Sequence, residues 1–321
     1  MSADHSNMPS GNTWEREVDD DGEFVRKPTT FRSWIRADGS SEFQPAPGRY
    51  HLYVSYACPW AHRTLIFRKL KGLEHAISFD VVDAFLPEVG WTFEQNVPGA
   101  TGDSVHDFHL LREVYKEASP DFGGTITVPV LYDKERRVIV NNESADIIRM
   151  LNAEFQEIAG HPEADFYPES LRERIDELND WIYPDINNGV YRSGFARKQA
   201  AYNKAVNGLF SALDRVEAIL GESRYLCGDR LTEADIRLFT TLIRFDAVYV
   251  THFKCNIRRI IDYPNLWAYT REIYQMPGIA ETVNMEHIKR HYFESHRSIN
   301  PLGIVPLGPD LDFDVPHGRG G

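Results

Sequence analysis

Cys58 is the residue whose setting in the sequence most clearly indicates chemistry. It follows residues 50–56, an aromatic and β-branched run that predicts a strand, and it directly precedes Pro59, a residue that favours the first helical position. A helix N-terminus offers partial positive charge and unpaired N–H groups, which stabilise a thiolate. We therefore predict a nucleophilic Cys58 with a lowered pKa; a small buried side chain is the alternative interpretation.

The spacing of the cysteines indicates how such a nucleophile would be reset. Ala61 stands three positions after Cys58, where a Cys-x-x-Cys motif would carry its second thiol. A mixed disulfide at Cys58 must then be resolved by a small external thiol, which predicts glutathione or a similar thiol as co-substrate. The two other cysteines, Cys227 and Cys255, make an odd and sparse set, which favours a reducing, cytoplasmic location over a disulfide framework.

Two further segments could hold an extended thiol ligand. A cis proline at Pro129 would leave the backbone of Val128 available to pair with a peptide-like molecule, although an edge-strand proline fits the pattern equally well. Glu143 and Ser144 stand at a predicted helix start. There the hydroxyl and free N–H groups could hold a carboxylate and Glu143 could pair with an ammonium, but an ordinary helix start explains them too.

The histidines do not indicate a metal centre. His287 and His291 lie four residues apart, His296 follows, and His106 and His109 form H-x-x-H. No glutamate completes an H-E-x-x-H motif and no second cysteine completes a zinc set. We therefore predict hydrogen-bonded histidines and no metal.

The elements that must position these residues fall into two halves, an α/β half and an all-α half. The order in the first half is β-α-β and then β-β-α, whereas only helical spacing appears after residue 165. A capping box, Thr232 to Asp235, opens one of the later helices. The predicted strands are 50–56, 77–82, 128–132 and 138–140, and the predicted helices of the first half begin at Pro59, near 110 and at Glu143.

Four regions follow from this reading. They are an N-terminal arm over 1–48, an α/β domain over 49–160 with an insertion at 84–120, an all-helical domain over 165–300, and a tail over 301–321. The arm contains scattered aromatic residues, which indicate that it packs on a neighbouring surface. These aromatics are Trp14, Phe24, Phe31, Trp34 and Phe43.

The composition is that of a water-soluble globular protein. The chain has 321 residues, of which 42% are apolar and 26% charged, with a net charge of −13. This charge disfavours nucleic acid and anionic membrane surfaces as partners. No apolar run approaches the ~18 residues of a membrane helix, and we expect no signal peptide, because the first residues lack a basic region and an apolar region.

Several motifs together resemble the glutathione transferase superfamily, and in particular the Xi class, the glutathionyl-hydroquinone reductases. They are Tyr-Ala-Cys-Pro-Trp-Ala-His-Arg at 56–63, Val-Pro at 128–129 and Asn-Asn-Glu-Ser at 141–144, with further likeness at 187–191, 244–249, 252–256 and 291–292. The resemblance runs from about Phe31 to Pro309. It implies a thioredoxin-like N-terminal domain, an all-helical glutathione-transferase C-terminal domain, a homodimer, and removal of a glutathionyl group from a hydroquinone thioether.

The resemblance also implies roles for individual residues. Cys58 would be the nucleophile, Tyr191 the proton donor, and Tyr249 and Tyr292 neighbours that lower the pKa of the thiol. Trp60 with the three tyrosines would form an aromatic wall against a flat ring. The residues that would bind the thiol co-substrate are Trp91, Val128, Glu143 and Ser144, together with Thr125, Ile126 and Thr127 in the run before Val128.

Thr125 departs from the family pattern, since members tend to read Gly-Arg-Val-Thr-Val-Pro where this chain has Gly-Thr-Ile-Thr-Val-Pro at 124–129. A hydroxyl there offers no positive charge to a carboxylate of glutathione. The sequence therefore predicts weak glutathione binding and makes mycothiol an alternative. Two other functions also stay open: an omega-like thiol transferase or dehydroascorbate reductase, and a non-enzymatic interaction module built on the transferase fold.

Overall fold

The first half of the chain forms one mixed sheet of four strands in the order β2-β1-β3-β4. In the computed structural model, which describes residues 18–319, β2 runs parallel to β1, and β3 runs antiparallel to both β1 and β4. Every residue of β1 is buried, so this strand lies at the centre of the core. The strands are β1 (Tyr50–Val54), β2 (Ile77–Val81), β3 (Val130–Asp133) and β4 (Val138–Asn141), which confirms the four predicted strands with ends shifted by at most two residues.

Three helices accompany this sheet. They are α1 (Pro59–Leu70), α2 (Leu111–Ala118) and α3 (Ser144–Ala153). Pro59 occupies the first turn of α1 as predicted, and α1 packs against α3. The N-termini of α1 and α3 carry Cys58 and Glu143 as their respective caps, so both chemical segments lie at helix starts.

The second half of the described chain is helical. The helices are α4 (Arg172–Ile182), α5 (Gly189–Gly194), α6 (Gln199–Glu222), α7 (Glu233–Arg244), α8 (Pro264–Tyr274) and α9 (Met285–Ser295). Helix α7 is buried along its whole length and packs against α1, α4 and α8. It opens with the predicted capping box, in which the carboxylate of Asp235 accepts from the backbone N–H of Thr232 at 2.8 Å.

The arm and the tail both pack on this body. Phe24 and Phe43 are buried, and Glu23 pairs with Lys204 and Arg192 of the helical half at 2.5 and 3.2 Å. Trp14 lies outside the described residues. In the tail, Phe313 packs on the rings of two α8 residues, Trp267 and Tyr274. Within residues 18–319, no helix has the length and apolar character needed to cross a membrane.

Gly194 provides a test of the packing in the helical half. A Cβ at this position would lie 2.1 Å from the ring of Phe253, which itself stacks on Tyr249. We expect Gly194→Ala to lower the free energy of unfolding by about 1–3 kcal/mol through overpacking, measured by urea denaturation. The matched control is Gly208→Ala in α6, where no atom lies within 4 Å of the added carbon. That variant should gain about 0.5–1 kcal/mol, and an equal effect of both substitutions would contradict this packing.

Candidate active site between the two halves

One pocket of about 290 Å³ brings together most of the predicted site residues. It is lined by the loops and helix starts of the α/β half, by helices of the helical half, and by residues 26–29 of the arm. Thr125 and Tyr249 do not line this pocket. The predicted residues that do line it are Cys58, Trp91, Ile126, Thr127, Val128, Glu143, Ser144, Tyr191 and Tyr292.

Cys58 lies at this pocket as the N-cap of α1. Its Sγ accepts a hydrogen bond from the backbone N–H of Ala61 at 3.4 Å and donates to the carbonyl oxygen of Val128 at 3.6 Å. The peptide bond between Val128 and Pro129 is cis, which agrees with the first of the two interpretations that the sequence left open. Cys58 therefore stands at the helix start and beside the backbone that would pair with a thiol ligand.

The pKa of the Cys58 thiol departs from the sequence prediction. Burial raises this pKa, because a thiolate is poorly solvated inside the pocket. The N–H of Ala61 and the positive charge of Arg244 act in the opposite direction, followed by the N–H of Trp60 and the charge of Arg26. The predicted lowering by the helix start is present but is outweighed by desolvation.

Arg244 holds the backbone that presents Cys58. This fully buried residue ends α7, and its guanidinium donates to the carbonyl oxygens of Ala57 at 2.9 Å and Tyr56 at 2.7 Å. It also donates to Nδ1 of His62 at 3.0 Å, and His62 Nε2 in turn contacts the Thr282 hydroxyl at 2.8 Å. The helical half therefore fixes the turn that carries Cys58.

Three tyrosine hydroxyls form a hydrogen-bonded chain beside the pocket. The hydroxyl of Tyr292 lies 2.5 Å from that of Tyr191 and 3.0 Å from that of Tyr249. Burial raises the pKa of all three phenols well above the ordinary value, so they stay protonated at neutral pH. Within the described part of the chain none of them hydrogen-bonds to Cys58, and we find no contact through which Tyr249 or Tyr292 would lower its pKa.

Three of the four residues of the predicted aromatic wall, Trp60, Tyr191 and Tyr292, line the pocket, and Tyr249 does not. The rings of Trp60 and Tyr191 lie with centroids 4.9 Å apart, and Trp91 stacks on His291 at 5.1 Å with an interplanar angle of 17°. These rings line the same pocket as Cys58. Such surfaces suit a flat aromatic ligand placed next to the thiol.

Glu143 and Ser144 combine both of the interpretations that the sequence left open. One carboxylate oxygen of Glu143 caps α3 by accepting from the N–H of Ala145 at 3.2 Å, and the other accepts from the hydroxyl of Thr29 at 3.2 Å. The hydroxyl of Ser144 accepts from Arg63 at 3.3 Å. A helix start, a hydroxyl and a carboxylate therefore face one end of the pocket.

Sequence reasoning missed the contribution of the arm. Residues 26–29 line the pocket, and the Arg26 guanidinium lies 4.0 Å from the centroid of the Trp60 ring while its Nε donates to Asn188 at 3.1 Å. This segment has no regular pattern. The only signal is two adjacent cations, Arg26 and Lys27, in a stretch that packs through Phe24.

His291 and His296 also line the pocket, although sequence reasoning predicted only hydrogen-bonded histidines and no role in binding a ligand. His296 Nδ1 lies 3.0 Å from His252 Nε2, which places these rings in a hydrogen-bonded group. Among residues 18–319, no cluster of three or more His, Cys, Asp or Glu side chains is arranged to hold a metal ion.

Comparisons with known proteins identify the family. The chain matches the family models of the glutathione S-transferase N-terminal domain over residues 57–154 and C-terminal domain over 199–272. It is 55% identical to glutathionyl-hydroquinone reductase YqjG of Escherichia coli over 313 residues, covering 96% of this chain and 95% of that protein. The chain belongs to the Xi-class glutathione transferases, the glutathionyl-hydroquinone reductase family.

Solved structures of this class agree with the fold. The glutathione-bound structure of YqjG matches with a TM-score of 0.88 and 57% identity, over 90% of this chain and 96% of that one. A Xi-class enzyme from Natrialba magadii matches with a TM-score of 0.89 and 55% identity, over 93% and 95%. The predicted fold class, a thioredoxin-like domain followed by an all-helical transferase domain, is confirmed. A relative named glutathione S-transferase omega-like 2, from Schizosaccharomyces pombe, is 51% identical over 90% of this chain and 94% of its own length.

The charge of Arg26 should be measurable at Cys58. Removing this cation disfavours the thiolate, so Arg26→Gln should move the pH midpoint of iodoacetamide alkylation upward. The shift should be smaller than the about 1–3 units that a cation in direct contact gives. Arg26→Lys should keep the midpoint near that of the unmodified protein.

The matched control is Arg32→Gln, which removes one positive charge from the same arm at a residue that pairs with Asp146 and does not line the pocket. If Arg32→Gln shifts the midpoint as far as Arg26→Gln does, the effect reflects net charge and not the position of Arg26.

Proposed function

We propose that this Xi-class transferase is a glutathionyl-hydroquinone reductase that removes the glutathionyl group from hydroquinone thioethers through a mixed disulfide at Cys58. The observation that carries this proposal is the juxtaposition, in one pocket, of the Cys58 thiol, the backbone of Val128, and the aromatic rings with Tyr191 and Tyr292. The first two suit a peptide-like thiol, and the rings suit a hydroquinone.

The chemistry divides into two displacements at sulfur. The thiolate of Cys58 attacks the thioether sulfur, so that an S–S bond forms while the bond from sulfur to the aromatic carbon breaks. The aromatic carbon takes a proton from the Tyr191 hydroxyl, which Tyr292 contacts at 2.5 Å and can help to reprotonate. A second glutathione then attacks the mixed disulfide, releases glutathione disulfide and restores Cys58.

Ligand binding would also help to ionise Cys58. Its S–H group donates to the Val128 carbonyl, and that contact favours the protonated thiol. The backbone N–H of a peptide-like ligand that pairs with Val128 would compete for the same carbonyl oxygen. The thiol would lose its acceptor, while the charges of Arg244 and Arg26 continue to favour the thiolate.

Glutathione is the co-substrate that the pocket supports best. Glu143 can meet its ammonium group, and Ser144 at the start of α3 can meet one carboxylate. Arg26 and Lys27 of the arm supply positive charge for the other carboxylate, which Thr125 does not. The similarity to a relative solved with glutathione bound supports the same choice. Mycothiol is the alternative. Because Thr125 does not line the pocket, we expect the arm and not Thr125 to decide how tightly glutathione binds.

Further parts of the proposal rest on family membership. We expect the chain to form a homodimer, with one domain over 49–160 and a second over 165–300. We also expect it to lie in the cytoplasm, because its three cysteines are free. The relative named as omega-like favours a second candidate function, the reduction of small mixed disulfides, which the same Cys58 would serve. A non-enzymatic role would not require a thiol at a pocket lined by aromatic rings.

Replacement of the nucleophile tests the function directly. Cys58→Ser should reduce thioether cleavage to background, because a serine hydroxyl is not appreciably ionised at neutral pH. Mass spectrometry of the unmodified enzyme should find a glutathionyl adduct on Cys58 after one turnover without added thiol. Cys227→Ser, which removes a thiol 3.8 Å from the Thr232 hydroxyl, is the control and should retain activity. Normal turnover by Cys58→Ser would refute the assignment.

Tyr191 separates the two candidate functions. Tyr191→Phe should slow thioether cleavage by about 10²–10⁴-fold, because only that reaction delivers a proton to carbon, and should affect a simple mixed disulfide far less. The control is Tyr249→Phe, whose hydroxyl contacts Tyr292 but does not line the pocket, and its loss should be smaller. Equal losses on both substrates would show that Tyr191 is not the proton donor.

The identity of the thiol can be tested at the arm. Lys27→Gln and Arg26→Gln should each weaken glutathione binding by about tenfold or more, since hydrogen bonds to charged groups typically contribute about 1.5–3 kcal/mol. Thr125→Arg should have little effect because Thr125 does not line the pocket. The reverse pattern, with improved binding in Thr125→Arg and no change in the arm variants, would instead support mycothiol.

A further inference from the structure

His291 lies in the pocket wall between the Trp91 ring and the tyrosine chain. It belongs to α9, is only 6% exposed, and directly precedes Tyr292. Its ring stacks on Trp91 and meets the Tyr292 ring edge to face, with centroids 5.3 Å apart and an interplanar angle of 79°. These contacts on two sides fix the plane of the imidazole.

The hydrogen bond of His291 also fixes its tautomer. Nδ1 lies 3.0 Å from the carbonyl oxygen of Ala84. A carbonyl oxygen can only accept a hydrogen bond, so Nδ1 must carry the proton. In the neutral ring Nε2 is then a bare acceptor.

The surroundings of His291 keep this ring neutral. Burial lowers its pKa to about 4, and the nearby His287 and Arg244 act in the same direction, although the Ala84 carbonyl opposes them. The Nε2 lone pair is therefore available at neutral pH. Within residues 18–319 this atom makes no hydrogen bond. Protein atoms do not bury it completely, whereas they do bury Nδ1 of His287.

A neutral ring nitrogen suits the ligand that we propose. Beside the thiol, the rings of Trp60 and Trp91 offer only faces and the guanidinium of Arg26 offers only donors. The carboxylate of Glu143 is assigned above to the ammonium group of glutathione, and the hydroxyl of Tyr191 is assigned to proton transfer. A hydroquinone has two hydroxyl groups, each of which donates a hydrogen bond. A neutral, oriented imidazole nitrogen is a suitable partner for one of them.

We propose that Nε2 of His291 accepts a hydrogen bond from one ring hydroxyl of the hydroquinone thioether, and so makes His291 a specificity-determining residue for substrates with that hydroxyl free. The selection rests on the function proposed above. An imidazole that only filled space beside Trp91 would not distinguish a hydroquinone conjugate from a conjugate that lacks the hydroxyl. The proposed acceptor does distinguish them.

Binding measurements on an unreactive background isolate this contact. The dissociation constants of three glutathione conjugates, those of hydroquinone and of the two monophenols that each lack one hydroxyl, are measured by calorimetry for Cys58→Ser and for Cys58→Ser with His291→Asn. The asparagine amide can still donate to the Ala84 carbonyl but presents no acceptor at the position of Nε2.

Loss of one particular hydroxyl should weaken binding to Cys58→Ser by about tenfold, and should change binding to the double variant by less than about twofold. The variant Cys58→Ser with His291→Gln should recover part of the difference in affinity between the conjugates. The longer glutamine side chain can place an acceptor oxygen near the position of Nε2. Equal penalties in both backgrounds, or no penalty for either hydroxyl in Cys58→Ser, would overturn the proposal.

The control is Cys58→Ser with His287→Asn. His287 lies one turn earlier on α9, has its Nε2 3.1 Å from the Pro98 carbonyl, and does not line the pocket. This variant should discriminate as Cys58→Ser does. Turnover of the hydroquinone conjugate by the unmodified enzyme is measured in parallel. Absence of turnover with discrimination intact would refute the reductase function alone, and turnover without discrimination would refute only the role of His291.

Discussion

The geometry of the Cys58 site depends on the hydrogen bonds that the buried guanidinium of Arg244 donates. This guanidinium reaches from the end of α7 to the carbonyl oxygens of Tyr56 and Ala57, directly before Cys58. A buried charge costs several kcal/mol unless other groups compensate it, and here carbonyl dipoles and a ring nitrogen of His62 surround the cation. These neutral groups do not cancel the positive charge of Arg244, which favours the thiolate form of Cys58. Neither half of the fold therefore builds the Cys58 site alone.

Burial has opposite consequences for the two kinds of acid in this pocket. It raises the pKa of Tyr191 and Tyr292, which keeps both phenols protonated and suited to deliver a proton to carbon. It also raises the pKa of Cys58, which must lose its proton to react. The positive charges of Arg244 and Arg26 favour the thiolate. A ligand that hydrogen-bonds to the Val128 carbonyl would remove the acceptor of the thiol. Together, these two effects would allow a thiolate to form beside protonated phenols.

Local sequence rules predict the frame of this site but not its long-range partners. The strand before Cys58, the start of α1 at Pro59 and the capping box of α7 follow from short-range preferences, and the structure confirms them. The predicted lowering of the Cys58 pKa was wrong. Burial raises this pKa, and the burial comes from the helical half and the arm, which a local sequence pattern does not show. Arg26 lies 162 residues from its partner Asn188, and no spacing rule connects them. The family resemblance identified Tyr191, Tyr249 and Tyr292 as site residues. The hydrogen bonds that join their hydroxyls are visible only in the structure.

The rate of mixed-disulfide formation at Cys58 in a single turnover tests most directly whether Arg244 positions this thiol for reaction. It is followed by mass spectrometry for the unmodified protein, Arg244→Lys and Arg244→Met, with circular dichroism to confirm that each is folded. We predict that Arg244→Met forms the adduct at least about tenfold more slowly, with Arg244→Lys between the two. A folded Arg244→Met protein that forms the adduct at the unmodified rate would contradict the account.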